Sequence, residues 1–269
     1  MRIELLDLKI ASFNINGVKA RLPRLLEWLE ETRPAVACLQ EIKSQDEGFP
    51  IAEFEKLGYH GIWHGQKGFN GVAILADGEA PREVRRGLEG EPEDEHSRYL
   101  EADVFGVRVV CIYLPNGNPV FHDGEPGPKF AYKLRWMERL RTRMAQIRAE
   151  EVPAIVTGDY NVIPTDRDVW SPPAMASDAL MQPQSRDAYI RLLGDGWTDA
   201  LALHNPRGGV WTYWDYQAGA WQRDHGFRID HALLSPELAD RLVECGVDKA
   251  HRGREKASDH APVWVRIAA

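Results

Sequence analysis

Apolar residues along this chain follow two spacings. Residues 8–15, 35–39, 99–104, 107–114, 153–157, 228–234, 243–247 and 263–267 are short runs rich in aliphatic and β-branched side chains, which predict strands. Residues 72–75 and 210–216, with Ile62 and Val84 as single markers, add further strand expectations. Elsewhere the spacing is helical: Leu22, Leu25, Leu26 and Leu29 share one face, as do Phe130, Leu134, Met137, Leu140, Met144 and Ile147, whose opposite face is basic. Residues 188–193 suggest another helix, and the glycine-rich, acidic stretch 87–94 reads as a turn.

Strands come in consecutive runs and alternate irregularly with helices, which disfavours a strictly parallel, doubly wound sheet. The expectation is an α/β fold in which two mixed β-sheets pack face to face and are flanked by helices. With 269 residues, 43% of them hydrophobic, the chain can build one large core, so 1–269 is expected to be a single domain.

Charge narrows the function. Asp and Glu outnumber Lys and Arg by 41 to 33, a net charge of -8, so bulk positive charge cannot drive binding to nucleic acid or to an anionic membrane. Any site for a polyanion must be local. Cys38, Cys111 and Cys245 are odd in number and widely spaced, which suits buried thiols in a reducing compartment and gives no zinc spacing. Arg2, Glu4, Asp7 and Lys9 interrupt the N-terminal apolar stretch, so no signal peptide and no membrane partner are expected, and the location is expected to be cytoplasmic, beside the nucleoid.

Candidate chemistry lies where apolar runs end in polar residues. Asn14 and Asn16 close the first run at the two-residue spacing that shares a strand face, before Gly17. Glu41 follows a wholly apolar run, where a carboxylate needs a cation or several donors. Tyr113 and Asn116 close another run and offer donors to an oxyanion. Asp159 and Asn161 repeat the two-residue spacing and together can hold a water, while Asp230 can orient an imidazole, for which His260, in Ser258-Asp259-His260-Ala261-Pro262, is the obvious partner. Each tract also has an ordinary structural explanation as a capped turn, a packed phenol or a surface carboxylate, and His231 reads as a packed neighbour. Taken together, carboxylates and amides without a Cys or His cluster favour a hard cation, Mg2+ or Mn2+, over zinc.

In order and spacing these tracts resemble the endonuclease/exonuclease/phosphatase superfamily, and within it the exonuclease III type apurinic/apyrimidinic endonucleases. The resemblance spans nearly the whole chain and extends to His64-Gly65-Gln66-Lys67-Gly68, Val84-Arg85-Arg86-Gly87 and Asn161-Val162-Ile163-Pro164-Thr165-Asp166. It implies a four-layer α/β sandwich and a monomeric phosphodiesterase that cleaves duplex DNA 5′ to abasic sites and trims blocked 3′ ends. By the same resemblance Glu41 is the principal metal carboxylate, with Asn14 and Asp259 near that ion and a second ion at Asp159, Asn161 and His260. Asp159 positions or deprotonates water, helped by Asn161; His260, held by Asp230, serves the phosphate, as do Tyr113 and Asn116. Asn16, Lys67, Arg85 and Arg86 contact DNA, and Tyr213, Trp214 and Phe227 line a pocket for the lesion.

The chain departs from the family pattern at Asn116-Gly117-Asn118-Pro119 and along residues 170–186, which bears on substrate preference and exonuclease strength. Two alternatives stay open: a metal-dependent phosphatase or phosphodiesterase acting on a small phosphorylated substrate, and a non-catalytic DNA-binding scaffold. Also open are the number of ions and whether Asp159 or His260 is the base.

Overall fold

The computed structural model describes residues 7–268; Arg2 and Glu4, read above as interrupting a leader, lie outside the described residues. In chain order the strands are β1 (Leu8–Asn14), β2 (Val36–Gln40), β3 (Tyr59–His64), β4 (Val72–Asp77), β5 (Arg82–Arg86), β6 (Tyr99–Val104) and β7 (Val107–Tyr113). They continue with β8 (Phe121–His122), β9 (Glu125–Pro126), β10 (Ala154–Asp159), β11 (Thr198–Asp199), β12 (Asp230–Leu234), β13 (Leu242–Val247) and β14 (Val263–Ile267). The helices are α1 (Val18–Thr32), α2 (Ile51–Glu55), α3 (Pro128–Ala149), α4 (Pro172–Met175), α5 (Pro183–Gly194), α6 (Ala200–His204) and α7 (Pro236–Ala239).

Two six-stranded sheets carry the molecule, in the orders β13-β14-β1-β2-β4-β3 and β11-β12-β10-β7-β6-β5. Both are mixed, as expected, and both are built alike. In each, one parallel pair, β1 with β2 and β10 with β7, is bordered by antiparallel strands.

The alternation of side chains along a strand sorts the core into layers. Ile10, Cys38, Ile74, Val109, Cys111, Ile155 and Val265 point between the sheets and form the central layer. Ala11, Phe13, Leu39 and Leu75 point the other way and are covered by Leu25, Trp28 and Leu29 of α1. On the opposite face Val110, Ile112 and Val156 are covered by Trp136, Met137, Leu140 and Met144 of α3 and by Tyr189 and Leu192 of α5. The result is helix, sheet, sheet, helix, the four-layer sandwich. Among the described residues no helix is long and apolar enough to cross a membrane.

One strand expectation fails. Residues 210–216 form no strand; the segment bends at Thr212 and Tyr216 and is held by the isolated bridges of Tyr213 with Phe227 and with His260. Its alternation has another cause: Thr212 and Trp214 are buried while Tyr213 faces a cleft. The basic face of α3 is not bare, since Arg139 pairs with Glu91 and Asp94, Arg141 with Asp195 and Arg148 with Glu237.

Candidate active site

The sheet architecture decides which residues meet. Parallel strands end on the same side, so Asn14 and Gln40 finish side by side in one sheet, as do Asp159 and Tyr113 in the other. An antiparallel neighbour begins where they finish: Asp230 opens β12 opposite Asp159, and the loop that carries Asp259 and His260 leads into β14 beside β1. With the sheets face to face, these ends share one edge. A cleft of about 550 Å³ lies there, and Glu41, Tyr113, Asp159, Asp259 and His260 line it.

At both parallel pairs the strand stops in the same manner. The Asn16 backbone N–H donates to Asn14 Oδ1 (3.1 Å) and the Asn161 backbone N–H donates to Asp159 Oδ1 (2.9 Å). Asn16 and Asn161 then take left-handed φ values of 49° and 47°, which asparagine tolerates better than most residues. The two-residue spacing of each pair therefore comes from a turn closed by the first side chain, not from a shared strand face. Glu41 leaves β2 at φ 50°.

Hydrogen bonds fix the polar end of the cleft. Asn14 Nδ2 donates to Glu41 Oε1 (2.9 Å) and to Asp159 Oδ2 (3.0 Å), so one amide joins carboxylates from the two sheets. Because Asn14 Oδ1 is taken by the Asn16 N–H, Asn14 turns its nitrogen to the site; it is a donor there rather than the metal-binding oxygen expected. Lys43 Nζ lies 2.7 Å from Glu41 Oε2, and Asn16 Nδ2 donates to Asp259 Oδ1 (3.0 Å). Although burial works to raise the Glu41 carboxyl, Lys43 and Asn14 outweigh it and hold it below its ordinary range.

His260 Nδ1 is 2.8 Å from Asp230 Oδ2, and its Nε2 faces Asp159 Oδ2 at 3.7 Å. Burial alone would lower the imidazole, but the carboxylates of Asp230, Asp159 and Asp259 push it up to about 10. Burial, reinforced by Asp230 and Glu41 against the pull of His260, pushes the Asp159 carboxyl up to about 7. Burial and the same acids, Glu41 and Asp159, raise the Tyr113 phenol well above its usual range, so Tyr113 stays a hydroxyl donor. Asp230 Oδ1 is buried without a hydrogen-bond partner, while Thr212 Oγ1 anchors the strand start by accepting the Ile229 and Asp230 backbone N–H groups. His231, next in sequence, is fully buried and bonded to Arg228 and to the Val162 carbonyl, the packed neighbour expected.

Glu41, Asp159 and His260 offer donor atoms that all lie within 4.8 Å of one another. Glu41 and Asp159 bring carboxylate oxygens from the two facing sheets to one point, and such oxygen donors suit a hard divalent cation. The set differs from the expected Asn14, Glu41 and Asp259. Asp259 lines the cleft but gives Oδ1 to Asn16 and Ser258 instead of joining the group. Nor does Asn161 aim a free amide at it, since Nδ2 donates to the Leu114 carbonyl and Oδ1 accepts from Asn116.

Of the expected DNA contacts, Asn116, Tyr213 and Phe227 line the cleft. Lys67 is exposed on the loop between β3 and β4. Arg85 and Arg86 are not brought to the cleft: they lie on edge strand β5 and pair with Glu89 and Glu83. Trp214 does not line it either. It is fully buried, with its indole N–H on Asp224 and its ring edge-on to Trp221. The outer wall is instead supplied by Trp170 and His225.

Besides Lys43, two basic residues were not anticipated. Arg98 donates to the Tyr113 carbonyl and stacks its guanidinium 4.7 Å from the Tyr113 ring. Lys133, fully buried on α3, donates to the Asn116 and Asn161 carbonyls and so ties the two cleft loops together. A signal for Lys133 was available, because it falls on the apolar stripe of α3 between Phe130 and Met137.

The sequence of residues 11–260 matches the model of the endonuclease/exonuclease/phosphatase family. Exodeoxyribonuclease III of Haemophilus influenzae is 36% identical over 97% of this chain and 100% of that protein. Among solved structures, an AP endonuclease from Archaeoglobus fulgidus superposes with a TM-score of 0.91 at 38% identity, covering 97% of this chain and 100% of that one. The 3′-5′ exonuclease NExo of Neisseria meningitidis superposes with a TM-score of 0.92 at 35% identity, again over 97% of this chain and 100% of that one.

Proposed function

The chain belongs to the endonuclease/exonuclease/phosphatase family, and from that premise we propose that it is a DNA-repair phosphodiesterase that nicks duplex DNA 5′ to abasic sites and removes nucleotides or blocking groups from 3′ ends. One observation carries the reading: Glu41, Asp159, Tyr113 and the His260–Asp230 pair meet at one end of a cleft whose other end is aromatic. A phosphate fits the first end and a sugar or base the second. The relatives are named for such activities, an exodeoxyribonuclease and an AP endonuclease among them.

Glu41 and Asp159 would hold Mg2+ or Mn2+, which when bound would screen charge on the phosphate oxygens. The remaining roles belong to the chain. Asp159, buried and facing His260, is placed to orient water and accept its proton. His260, kept charged by Asp230, faces the same space as a cation that steadies the pentacovalent phosphate or delivers a proton to the leaving oxygen. The Tyr113 hydroxyl and the Asn116 amide donate to phosphate oxygens, and Tyr213 and Phe227 exclude water around the sugar. Asn16 and Lys67 meet the flanking backbone. The enzyme works as a monomer, in the cytoplasm beside chromosomal DNA, with 1–269 as one catalytic domain.

A synthetic duplex with one abasic site, incubated with the purified protein and Mg2+, tests this. Nicking on the 5′ side that EDTA abolishes is the expected result; an intact abasic duplex combined with hydrolysis of a soluble phosphomonoester overturns it in favour of a small-molecule phosphatase. Glu41→Gln and His260→Asn should each lower cleavage by about 10²-fold or more with the thermal midpoint little changed.

A further inference from the structure

The cleft is larger than a bare sugar requires. At about 550 Å³ it lies inside the range of roughly 300–1,000 Å³ typical of sites for whole small molecules. Its far end is built for a flat apolar group. Trp170 and His225 stack face to face there, with centroids 3.7 Å apart and planes within 1° of parallel. His225 covers one face of the indole, yet Trp170 is still 41% exposed, one of the few large hydrophobic side chains so exposed. Met175, Leu180 and Ile229 also line the cleft, packed with Tyr213 and Phe227.

A continuous wall joins the two ends. Isolated bridges run from Val169 to Phe227, from Phe227 to Tyr213 and from Tyr213 to His260. Along that path the Phe227 and Tyr213 rings are 4.7 Å apart, and Tyr213 packs edge-on to His260 at 4.9 Å. The Trp170 backbone N–H donates to the Gly226 carbonyl, which ties its main chain to the segment that carries Phe227. Asp178 and Asp215 also line the cleft and disfavour a second phosphate in it. A nucleobase, which is flat, neutral and carries N–H donors for those carboxylates, matches what remains.

Resting on the nuclease reading, we propose that Trp170, backed by His225, is the platform on which the base of a 3′-terminal nucleotide stacks while its 5′ phosphate lies at Glu41 and His260, so that Trp170 sets the preference between terminal nucleotides and sugars without a base. Terminal nucleotides are favoured over internal ones because an internal base must first be unstacked and flipped, at a cost of a few kcal/mol. In the reaction, water oxygen bonds to phosphorus and the bond from phosphorus to the preceding 3′ oxygen breaks. That oxygen takes a proton, leaving a nucleoside 5′-monophosphate and a strand shortened to a new 3′ hydroxyl.

The test compares two substrates on the same protein preparation: a duplex with an ordinary recessed 3′ end, and the same duplex with an internal abasic site. An abasic sugar has no base to stack, so Trp170→Ala should lower the ratio of 3′-nucleotide removal to abasic incision, taken as kcat/KM, by roughly tenfold or more. Trp170→Phe should keep that ratio within about threefold of the wild type, since a flat ring remains. A 3′-terminal 2-aminopurine, bound in EDTA to prevent turnover, should change fluorescence with the wild type and not with Trp170→Ala. An unchanged or increased ratio, or equal fluorescence with both proteins, overturns the platform. Failure of the wild type to nick the abasic duplex overturns the nuclease reading instead.

Discussion

His231 and His260 come from the same strand-end region and are both buried, yet their surroundings drive them in opposite directions. His260 faces carboxylates, whereas burial and the Arg228 guanidinium push His231 down to about 4. With Nδ1 beside the Arg228 guanidinium and Nε2 on the Val162 carbonyl, His231 has both ring nitrogens occupied when it is neutral. An unfolded chain returns it to about 6.5. The folded value is the lower, so the unfolded state binds more protons between pH 6.5 and 4, and stability falls as pH drops through that window. The neutral ring's contribution, on the order of 3 kcal/mol, is present above 6.5 and lost below 4. Urea unfolding at pH 7 and pH 5 should therefore show a smaller acid-induced loss in His231→Gln than in the wild type; equal losses would contradict this account. For His260 the opposite holds: Asp230→Asn removes the main raising charge, so the alkaline limit of activity should move to lower pH while kcat falls by about 10²-fold.

At the scale of elements, catalysis depends on how strands end, and Gly158 shows how narrowly one ending is set. It sits one residue before Asp159 at φ +150°, and a Cβ there would lie 1.9 Å from the Ile112 carbonyl oxygen of the paired strand β7. Gly158→Ala should cost about 3 kcal/mol or more by forcing β7 and β10 apart. Gly87→Ala, also at positive φ but with open space around it, should cost only about 1 kcal/mol. Chemical denaturation of both variants checks the contrast. Most strands and the long helices were legible in sequence because their side chains have one buried face each, and period follows burial. Residues 210–216 misled because a wall lining a cleft alternates just as a strand does. Strand-end positions such as Glu41, Asp159, Asp230 and His260 were legible for a related reason: a polar residue closing an apolar run is costly unless something meets it. Trp170 and His225 were not, since they meet only in the folded chain, and the place of Lys133 on the apolar stripe of α3 marks it as buried without naming the carbonyls it holds. Lys133→Met should expose that dependence, lowering kcat by about tenfold or more as the Asn116 and Asn161 carbonyls lose their shared donor.

For the whole molecule the difficulty is electrostatic, because a chain of net charge -8 must hold a polyanion. Much of its arginine is already committed: Arg108 and Arg143 share buried Glu101, Arg139 holds Asp94, and Arg228 lies between Asp168 and Asp199. Such pairs steady the sandwich and add little outward field. Among the described residues, Arg98 and Lys43, the latter shared with Glu41, lie beside the catalytic end, and Lys67 is exposed on the neighbouring loop. If about three phosphates are neutralised, the logarithm of the binding constant should fall with the logarithm of salt concentration at a slope of roughly -3, since each contact contributes about -0.9. Fluorescence anisotropy of a duplex carrying an uncleavable abasic analogue, titrated between low and moderate salt, measures that slope directly. Lys67→Ala should reduce its magnitude by about one, whereas Arg85→Ala and Arg86→Ala should change affinity less than about twofold because both guanidinium groups are held by Glu89 and Glu83. A slope twice as steep would mean that those ion pairs open onto DNA, and that binding spreads across the sheet edge at β5 rather than staying at the cleft.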